Sequence, residues 1–405
     1  METHVKFLSP YNTMSDISGK LNIIFTGEFT YPDGMAGTKR IQHFIDYLSA
    51  ENSVKVFLFR QKTVYCKSLK IESKKGNVTY RIIGADLGMS LKALYLLPAS
   101  FFLGFITLWK WQVKKSKNIL YVYNGITLEN IIFILFARII GYKLVVEYVE
   151  DFRHFAGDLS TGLAIKNKTN VFFERFLPFT AKGIVVISTY LFQKFKKYQK
   201  TIPVIHIPIS SYISGNAIQN NTFNSPIRIV YSGSFGAKDG LDTLIVAFNE
   251  FSKKYPNCQL VLSGKSKDHD LIQKYCENPK VQYIGYVPDG EFDSFLAQAD
   301  ILCMTRNKMQ FANAGFPFKL GEYLATGKPV IASKVSDIEL YIENMHDALL
   351  VNPEQPEQIV DALMFLVHNP DKAFEIGNNG QKKCIEHFNP SVNSKKLNEF
   401  LLSIK

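Results

Sequence analysis

A complete loop–helix–strand unit is contained in the sequence Gly315-Phe-Pro-Phe-Lys-Leu-Gly-Glu-Tyr-Leu-Ala-Thr-Gly-Lys-Pro-Val-Ile-Ala-Ser333. The Gly-Phe-Pro turn predicts a helix over 318–325, Gly327 predicts its C-terminal cap, and Pro329 predicts the entry to the next strand. A helix that follows a glycine turn presents free N–H groups and a positive dipole end, which suit phosphate. Glu322 lies about one turn into this helix, where its carboxylate can accept hydrogen bonds from paired hydroxyls, as on a ribose. An ordinary surface carboxylate is the alternative, and both interpretations stay open at this point.

Apolar runs of strand length recur on both sides of this unit, with helix-length segments between most of them. In the C-terminal half the predicted strands are 227–231, 259–263, 281–284, 301–304 and 329–332. In the N-terminal half they are 21–26, 54–59, 119–123, 143–147 and 183–188, with a helix predicted over 38–50. This alternation predicts an α/β fold with two doubly wound, Rossmann-like domains that face each other across a central cleft. The predicted divisions are an N-terminal domain at 1–205, a polar linker at 206–226, a C-terminal domain at 227–384, and a C-terminal helix at 385–405 that can pack back toward the N-terminal domain.

The bulk composition narrows the class of protein. A chain of 405 residues with 46% hydrophobic and 20% charged residues is long enough for two folded domains. The net charge of +11 favours anionic partners such as nucleotide phosphates, acidic lipids or nucleic acid, and does not choose among them. Five scattered cysteines favour a reducing compartment over a disulfide framework. Residues 1–20 are polar and do not resemble a secretory signal.

The segment from Ala93 to Trp109 carries no charge. As a helix it would be roughly 26 Å long, just short of a hydrocarbon core of about 30 Å. Flanking lysines and tryptophans suit an interfacial anchor: Lys92, Lys110, Lys114, Lys115, Lys117, Trp109 and Trp111. A membrane-surface helix, an ordinary buried helix and a true membrane span all remain open, in that order of preference.

The 315–333 segment resembles the C-terminal signature of glycosyltransferase family 4, whose members are retaining, metal-independent enzymes of the GT-B fold. Further matching motifs occur in the right order: Val230-Tyr-Ser-Gly233 with Lys238, Tyr283-Ile-Gly-Tyr-Val287, Gln298-Ala-Asp300 and His346-Asp-Ala-Leu-Leu-Val-Asn-Pro353. The N-terminal half is looser and depends on the Gly34/Gly37 loop and on Ser188. The resemblance covers nearly the whole chain.

The resemblance implies specific roles for the matching residues. Glu322 would bind the ribose of the donor, Lys238 would hold its diphosphate during catalysis, and Tyr286 and Val287 would border the base. The full set implied to contact the donor is Gly233, Ser234, Lys238, Tyr286, Val287, Asn313, Gly315, Phe316, Pro317, Lys319 and Glu322. Two positions depart from the family pattern. Ala314 stands where the first glutamate of the motif is usual, and Ser234 stands where many members have arginine, with Asn313 and Lys319 as candidate substitutes.

The N-terminal domain offers a second, weaker set of candidates. Glu150, Asp151 and His154 follow the predicted strand 143–147 and are expected to face the cleft, where the resemblance places catalytic or acceptor-handling groups. The alternative is a set of loop and helix-capping residues. The resemblance also implies that Gly34, Gly37, Thr38 and Arg40 form a loop that approaches the phosphate or the acceptor, with a plain turn as the alternative.

Metal and phosphate-loop signals are weak. The sequence Asp268-His-Asp270 imitates a metal-binding motif, but its polar loop context favours an N-cap at the start of a helix. Gly327-Lys328 does not have the flanking residues of a phosphate-binding P-loop. The eight histidines show no ligand spacing. We therefore expect no metal site and no cofactor other than a nucleotide-sugar co-substrate such as a UDP- or GDP-sugar.

The expected function is transfer of a hexose-type sugar to a lipid-linked or membrane-associated glycan in surface polysaccharide biosynthesis. The expected location is the cytoplasm, peripheral on the inner face of the membrane, with an anionic lipid contact through 93–117. A sugar-nucleotide epimerase of the same fold and a non-catalytic nucleotide-sugar-binding partner of another transferase are the alternatives. Binding of nucleic acid is not expected, because no recognisable module accompanies the positive charge.

Overall fold

The computed structural model describes residues 21–61, 72–85, 91–154, 161–213, 222–266 and 268–405. The predictions for residues 1–20 and for Cys66 lie outside these ranges. Within them the strands form two mainly parallel sheets, each flanked by helices. The predicted pair of Rossmann-like α/β domains is therefore confirmed.

The first sheet has the strand order β3-β4-β2-β1-β5-β6-β7-β8. Its strands are β1 Leu21–Gly27, β2 Ser53–Gln61, β3 Ser73–Lys75, β4 Val78–Ala85, β5 Lys117–Tyr123, β6 Lys143–Tyr148, β7 Gly183–Val186 and β8 Val204–His206. The accompanying helices are α1 Ala36–Leu48, α2 Leu91–Trp111, α3 Ile131–Ile139, α4 Thr161–Glu174, α5 Leu177–Thr180 and α6 Thr189–Lys196. All described pairings are parallel except β3 with β4. The order reverses between β1 and β5, which is where ligands bind in folds of this type.

The second sheet has the order β11-β10-β9-β12-β13-β14 and is parallel throughout the described pairings. Its strands are β9 Ile227–Gly233, β10 Cys258–Gly264, β11 Val281–Tyr283, β12 Ile301–Met304, β13 Val330–Ser333 and β14 Leu349–Val351. The helices are α7 Leu241–Lys254, α8 His269–Tyr275, α9 Asp289–Ala297, α10 Gln310–Ala314, α11 Phe318–Ala325, α12 Ile338–Tyr341, α13 Pro356–His368 and α14 Pro370–His387. The predicted helix over 318–325 is α11, residue for residue.

The last helix, α15 Pro390–Ser403, packs against the first domain although it follows the second in sequence. Ser394 Oγ donates to the carbonyl oxygen of His43 at 3.0 Å, and Asn52 Nδ2 donates to Asn398 Oδ1 at 3.2 Å. Close by, Asn393 Nδ2 donates to the carbonyl oxygen of Ile209 at 3.1 Å. The outgoing and returning connections between the domains therefore lie side by side.

Two glycines let the chain turn tightly where strands end at the cleft. A Cβ on Gly27, whose φ is +123°, would lie 2.3 Å from the carbonyl oxygen of Tyr123. A Cβ on Gly264, whose φ is +144°, would lie 1.8 Å from the carbonyl oxygen of Gly233. No other residue fits either position without a shift of the backbone, so both strand ends remain open toward the cleft.

Helix α2 contains the apolar segment and is partly buried along one side. Phe101 stacks on Phe133 with ring centroids 5.4 Å apart, and Phe105 packs on Phe136 at 4.7 Å. On the other side, Phe102 and Trp109 are 67% and 64% exposed. Across the part of the chain that the structure describes, no helix combines the length and apolar character needed to cross a bilayer.

Candidate active site

A cavity of about 390 Å³ lies between the carboxyl ends of the two sheets. Glu28, Asn124 and Glu150 follow strands β1, β5 and β6 on one side, while Gly233 and Gly264 end β9 and β10 on the other. Parallel strands present their carboxyl ends at one edge of a sheet, so these short loops converge by topology. The volume falls in the range usual for a small-molecule site.

Lys238 lies in a 3₁₀ turn, Ala237–Asp239, that begins a few residues after β9, and it lines this cavity. Its Nζ is 3.0 Å from Glu150 Oε1, which comes from the other domain, and it sits 4.7 Å from the centre of the Phe311 ring. The structure thus brings together two residues that sequence analysis assigned to opposite domains. Both side chains are about a quarter exposed, so a ligand can reach them.

A buried cluster of charges lies beside Lys238. Lys319 Nζ is 3.1 Å from Asp239 Oδ1 and 3.0 Å from the Tyr231 hydroxyl, and Ser234 Oγ donates to Asp239 Oδ2 at 2.7 Å. Burial raises the pKa of Asp239, but the Lys319 ammonium and the Arg306 guanidinium outweigh it and hold that pKa well below its usual range. The Asp239 carboxylate is therefore ionised at neutral pH and is the counterion of the Lys319 and Arg306 side chains.

Glu322 projects from α11 into the cavity and meets a cation from the first domain. Lys39 Nζ lies 2.6 Å from Glu322 Oε1 and 4.5 Å from the centre of the Phe292 ring. Burial lowers the pKa of Lys39, but the neighbouring Glu322 carboxylate reverses this, and the net direction is upward. Lys39 thus stays protonated and pairs with the residue that sequence analysis assigned to the ribose.

Most other predicted donor contacts also line the cavity. Tyr286 and Val287 border one end, where the Lys265 ammonium lies 4.0 Å from the Tyr286 ring centre. Gly233, Ser234, Gly315 and Phe316 complete the predicted residues found there.

Two predicted contacts lie elsewhere. Pro317 is the N-cap residue of α11 and is not among the lining residues. Asn313 Oδ1 accepts a hydrogen bond from the Ser336 N–H at 3.0 Å and lines a separate groove with Arg153 and Asp337. Neither position supports a direct contact with a ligand in the 390 Å³ cavity.

The expectation that Asp151 and His154 face the cleft is wrong. Asp151 is fully buried and pairs with Arg153 at 2.7 Å and with Lys194 at 3.0 Å. Burial raises its pKa, but hydrogen bonds from Arg153 and the charge of Lys194 hold the pKa far below its usual range. His154 Nε2 lies 3.9 Å from the same carboxylate and outside the cavity lining. These groups hold the loop after β6, and of this set Glu150 alone lines the cavity.

The predicted loop is corrected in the same way for three of its four residues. Arg40 is fully buried, with Nε 2.6 Å from Glu147 Oε1 and Nη1 2.6 Å from the carbonyl oxygen of Pro208. Thr38 Oγ1 donates to the carbonyl oxygen of Thr30 at 2.7 Å, and a Cβ on Gly34 would collide with both threonine hydroxyls. Gly37 does line the cavity, beside the Tyr123 ring.

Five residues that line the cavity were missed by sequence analysis: Glu28, Lys39, Asn124, Asp239 and Arg306. Asn124 directly follows the predicted strand 119–123, and Glu28 lies two residues after the predicted strand 21–26, so these positions were a usable signal for polar residues at a sheet edge. Lys39 had no comparable signal because it lies within a helix, next to an arginine that proved to be structural. Among the described residues, no group of three or more histidines, cysteines or carboxylates is placed to hold a metal ion.

Comparison with known proteins places this geometry in context. Residues 216–383 match the family described as Glycosyl transferases group 1. An uncharacterized glycosyltransferase of Methanocaldococcus jannaschii is 23% identical over 209 residues, which cover 46% of this chain and 56% of that protein. The chain therefore spans little more than half the length of this curated relative.

Two solved structures have the same overall arrangement. Sucrose-phosphate synthase from Thermosynechococcus elongatus superposes with a TM-score of 0.72 at 15% identity, over 94% of this chain and 98% of that one. Anabaena HepE in complex with UDP-glucose gives a TM-score of 0.65 at 14% identity, over 94% and 99%. At these identities the likeness establishes a shared fold, which is the GT-B arrangement.

Proposed function

We propose that this chain, whose residues 216–383 match the glycosyl transferases group 1 family, is a retaining, metal-independent glycosyltransferase that moves a hexose-type sugar from a nucleotide-sugar to a membrane-associated glycan acceptor. The acceptor would be lipid-linked and the pathway surface polysaccharide biosynthesis. In this proposal 227–384 binds the donor, 1–205 binds the acceptor, 206–226 connects them, and 385–405 returns to the first domain.

The observation that carries the proposal is the concentration of cations at one end of the cavity. Lys238, Lys319 and Arg306 all line it close to the start of α11. A diphosphate leaving group gains negative charge as its bond to the sugar breaks. Fixed cations and helix N–H groups in a partly buried site stabilise that charge without rearranging, which is commonly a large contribution to catalysis.

The remaining lining residues fit the other parts of a nucleotide-sugar. Glu322 would accept hydrogen bonds from the ribose, and Tyr286 and Val287 would border the base. Gly233, Ser234, Gly315 and Phe316 would surround the phosphates and the sugar. The acceptor hydroxyl would attack the anomeric carbon from the face that the diphosphate leaves, and its proton would pass to the leaving phosphate.

Lys319 supports a working enzyme despite the two departures from the family pattern. A Cβ built on Gly233 would lie 2.5 Å from Lys319 Nζ. The Lys319 ammonium therefore stands beside the residue that precedes Ser234. We infer that Lys319 supplies the positive charge that arginine gives in many members at position 234. A non-catalytic partner protein would have no need for this replacement.

A membrane contact is supported by the outer surface of the first domain, which we call the α2–α3 face. It consists of exposed apolar and basic side chains: Phe102, Trp109, Lys110, Lys114, Lys115, Ile132, Leu135, Arg138 and Ile139. Apolar side chains interspersed with lysine and arginine suit an anionic bilayer surface. We propose that this face holds the enzyme peripherally on the inner side of the cell membrane.

A panel of UDP- and GDP-sugars tested by thermal shift checks the donor assignment, because a ligand that binds the folded state raises its melting temperature. We expect one nucleotide-sugar to stabilise the protein, and its parent nucleotide to do so less. Stabilisation by none of the panel contradicts the proposal. Conversion of the donor sugar in the absence of an acceptor would instead support the epimerase.

A further inference from the structure

The first-domain wall of the cavity contains two polar residues to which the donor assignment gives no role. Glu28 directly follows β1, and Asn124 directly follows β5, so both stand at the point where the strand order reverses. Both line the cavity on the side opposite the start of α11.

Asn124 has an uncommon backbone conformation and a buried side chain. Its backbone has a φ of +64°, a left-handed conformation that is costly for a residue other than glycine, although asparagine tolerates it best. Its side chain is only 7% exposed. Nδ2 donates to Glu28 Oε2 at 3.1 Å, and Oδ1 has no hydrogen-bond partner among the described residues. A buried amide oxygen without a partner beside a cavity indicates that a ligand supplies the missing donor.

Glu28 turns the same wall acidic. Burial raises its pKa, and the ammonium of Lys166, 2.8 Å from Oε1, opposes that effect, while the nearby charge of Glu150 adds to it. Glu28 and Glu150 thus lie close enough to influence each other, and one N–H of the Asn124 amide is used by Glu28. Around Glu28, Asn124 and Glu150 this wall is therefore rich in hydrogen-bond acceptors, although Lys39 lies on the same wall, whereas Lys238, Lys319 and Arg306 lie on the opposite wall.

We propose that Glu28 and Asn124 form the subsite for the acceptor, and that the part of the acceptor bound there is an uncharged, hydroxyl-rich sugar and not a phosphorylated one. Hydroxyl groups supply the donor that Asn124 Oδ1 lacks, and they can also donate to the Glu28 carboxylate beside its contacts with Lys166 and Asn124. A phosphate at the same place would face the carboxylates of Glu28 and Glu150, which is unfavourable in a partly buried site.

This subsite deepens the proposed function and depends on it. One acceptor hydroxyl, oriented by neighbouring hydroxyls on Glu28 and Asn124, forms the new bond from its oxygen to the anomeric carbon of the donor sugar. The bond from that carbon to the diphosphate oxygen breaks, and the hydroxyl proton leaves with the nucleoside diphosphate. Glu28 and Asn124 are positioning residues in this step.

The test uses the donor found by thermal shift and two sets of small acceptors. One set contains the uncharged p-nitrophenyl glycosides of glucose, galactose, mannose and N-acetylglucosamine, and the other contains the 6-phosphates of the same sugars. Release of nucleoside diphosphate above the acceptor-free rate gives kcat/KM for each. We expect at least one glycoside to exceed its phosphate at least tenfold.

Two variants locate that preference. Asn124→Gly removes the amide but favours the left-handed backbone, so the fold should be kept, and Glu28→Gln removes the charge. Each should lower kcat/KM for the preferred glycoside at least tenfold, mainly through KM, while the calorimetric affinity for the nucleotide stays within twofold. Glu51→Gln, on the exposed surface of the same domain, is the matched control and should change neither value.

The outcomes separate the two proposals. A wild-type protein that binds no nucleotide-sugar overturns the proposed function and the subsite together. Donor binding with preference for the phosphates, with transfer to no uncharged probe, or with both variants within twofold of wild type overturns the subsite alone.

Discussion

Lys39 Nζ lies 2.6 Å from Glu322 Oε1, although Lys39 belongs to α1 beside the first sheet and Glu322 to α11 beside the second. Lys238 and Glu150 form a second pair of this kind at 3.0 Å. Each pair crosses the cleft and occupies a residue that we assign to the donor. A bound donor must therefore replace each ion pair with contacts of its own.

Replacing Glu322 with alanine should weaken nucleotide binding by about 1.5–3 kcal/mol, the usual contribution of a hydrogen bond to a charged group. Isothermal titration calorimetry measures this directly. Glu399→Ala, on the exposed side of α15, serves as the matched control and should leave the affinity unchanged. Equal affinities for Glu322→Ala and wild type would remove Glu322 from the donor site.

Replacing Lys39 with methionine should strengthen nucleotide binding roughly two- to fivefold. In wild type the ribose must displace Lys39 from Glu322, and a partly exposed ion pair of this kind is worth about 0.5–1 kcal/mol; the variant does not have this cost. In a Glu322→Ala background the same change should have no such effect. A double-mutant cycle by calorimetry should therefore give a coupling of at least about 0.5 kcal/mol. Strict additivity would show that the pair does not compete with the nucleotide.

Lys238→Ala should lower kcat much more than it raises the KM for the donor, because the charge that Lys238 meets is greatest in the transition state. Steady-state kinetics over a range of donor concentrations separates the two constants. Lys253→Ala, on the exposed side of α7, is the control. A change confined to KM would make Lys238 a residue that binds ground state and transition state alike.

Removing the exposed aromatic side chains of the α2–α3 face with Phe102→Ser and Trp109→Ser should release the protein from vesicles that contain phosphatidylglycerol. High salt should release wild type in part, because each lysine near an anionic surface contributes about 1 kcal/mol. Sedimentation with vesicles measures both effects. Leu340→Ser, on an exposed site of the second domain, should have no effect.

Phe101→Ser and Phe105→Ser should instead lower thermal stability, since these rings pack inward. Failure of the wild-type protein to sediment with vesicles that contain phosphatidylglycerol would contradict the proposed membrane contact.

The Asp151 carboxylate should stabilise the fold at neutral pH and lose that effect in acid. Its pKa in the folded protein lies below the ordinary value of 3.8, so the folded state favours the charged form. The contribution is complete above the unfolded pKa and disappears as the pH falls from about 4 toward the folded value. Urea unfolding at pH 7 should show Asp151→Asn to be less stable by about 3 kcal/mol, with a smaller difference at pH 3. An equal difference at both pH values would contradict a charged Asp151.

Features determined by neighbouring residues were predictable from the sequence. Helix α11 was predicted at its observed limits because a turn, a cap and a proline lie within a few residues of one another. The side chain of Asp268 accepts from the Leu271 N–H at 2.9 Å, so the predicted N-cap is confirmed. Four strands were missed: β3, β8 and β14, which have three residues each, and β4, whose apolar run is interrupted by Arg81.

Contacts between distant residues were not predictable. Arg40 and Lys39 are adjacent, yet one is buried against Glu147 and the other reaches Glu322 across the cleft. The helical phase separates them, but only the packed structure shows which direction leads to the cavity. Asp151 and Glu150 are also adjacent, yet Asp151 is buried against Arg153 and Lys194 while Glu150 lines the cavity. In these two cases, two adjacent charged residues marked a segment close to the cavity, but the sequence did not show which of the two side chains lines it.

The return of α15 to the first domain gives the molecule two covalent joints in place of one. The Ser211 N–H donates to the carbonyl oxygen of Phe388 at 2.9 Å, so the outgoing strand of chain is hydrogen-bonded to the returning one. Two adjacent chain connections form a hinge that favours rotation of the domains about the line through both connections over rotation about other axes. Any opening of the cleft is therefore expected to be a rotation about that one line, and a truncation before residue 390 would remove one of the two connections and uncover the surface of α1 that α15 covers.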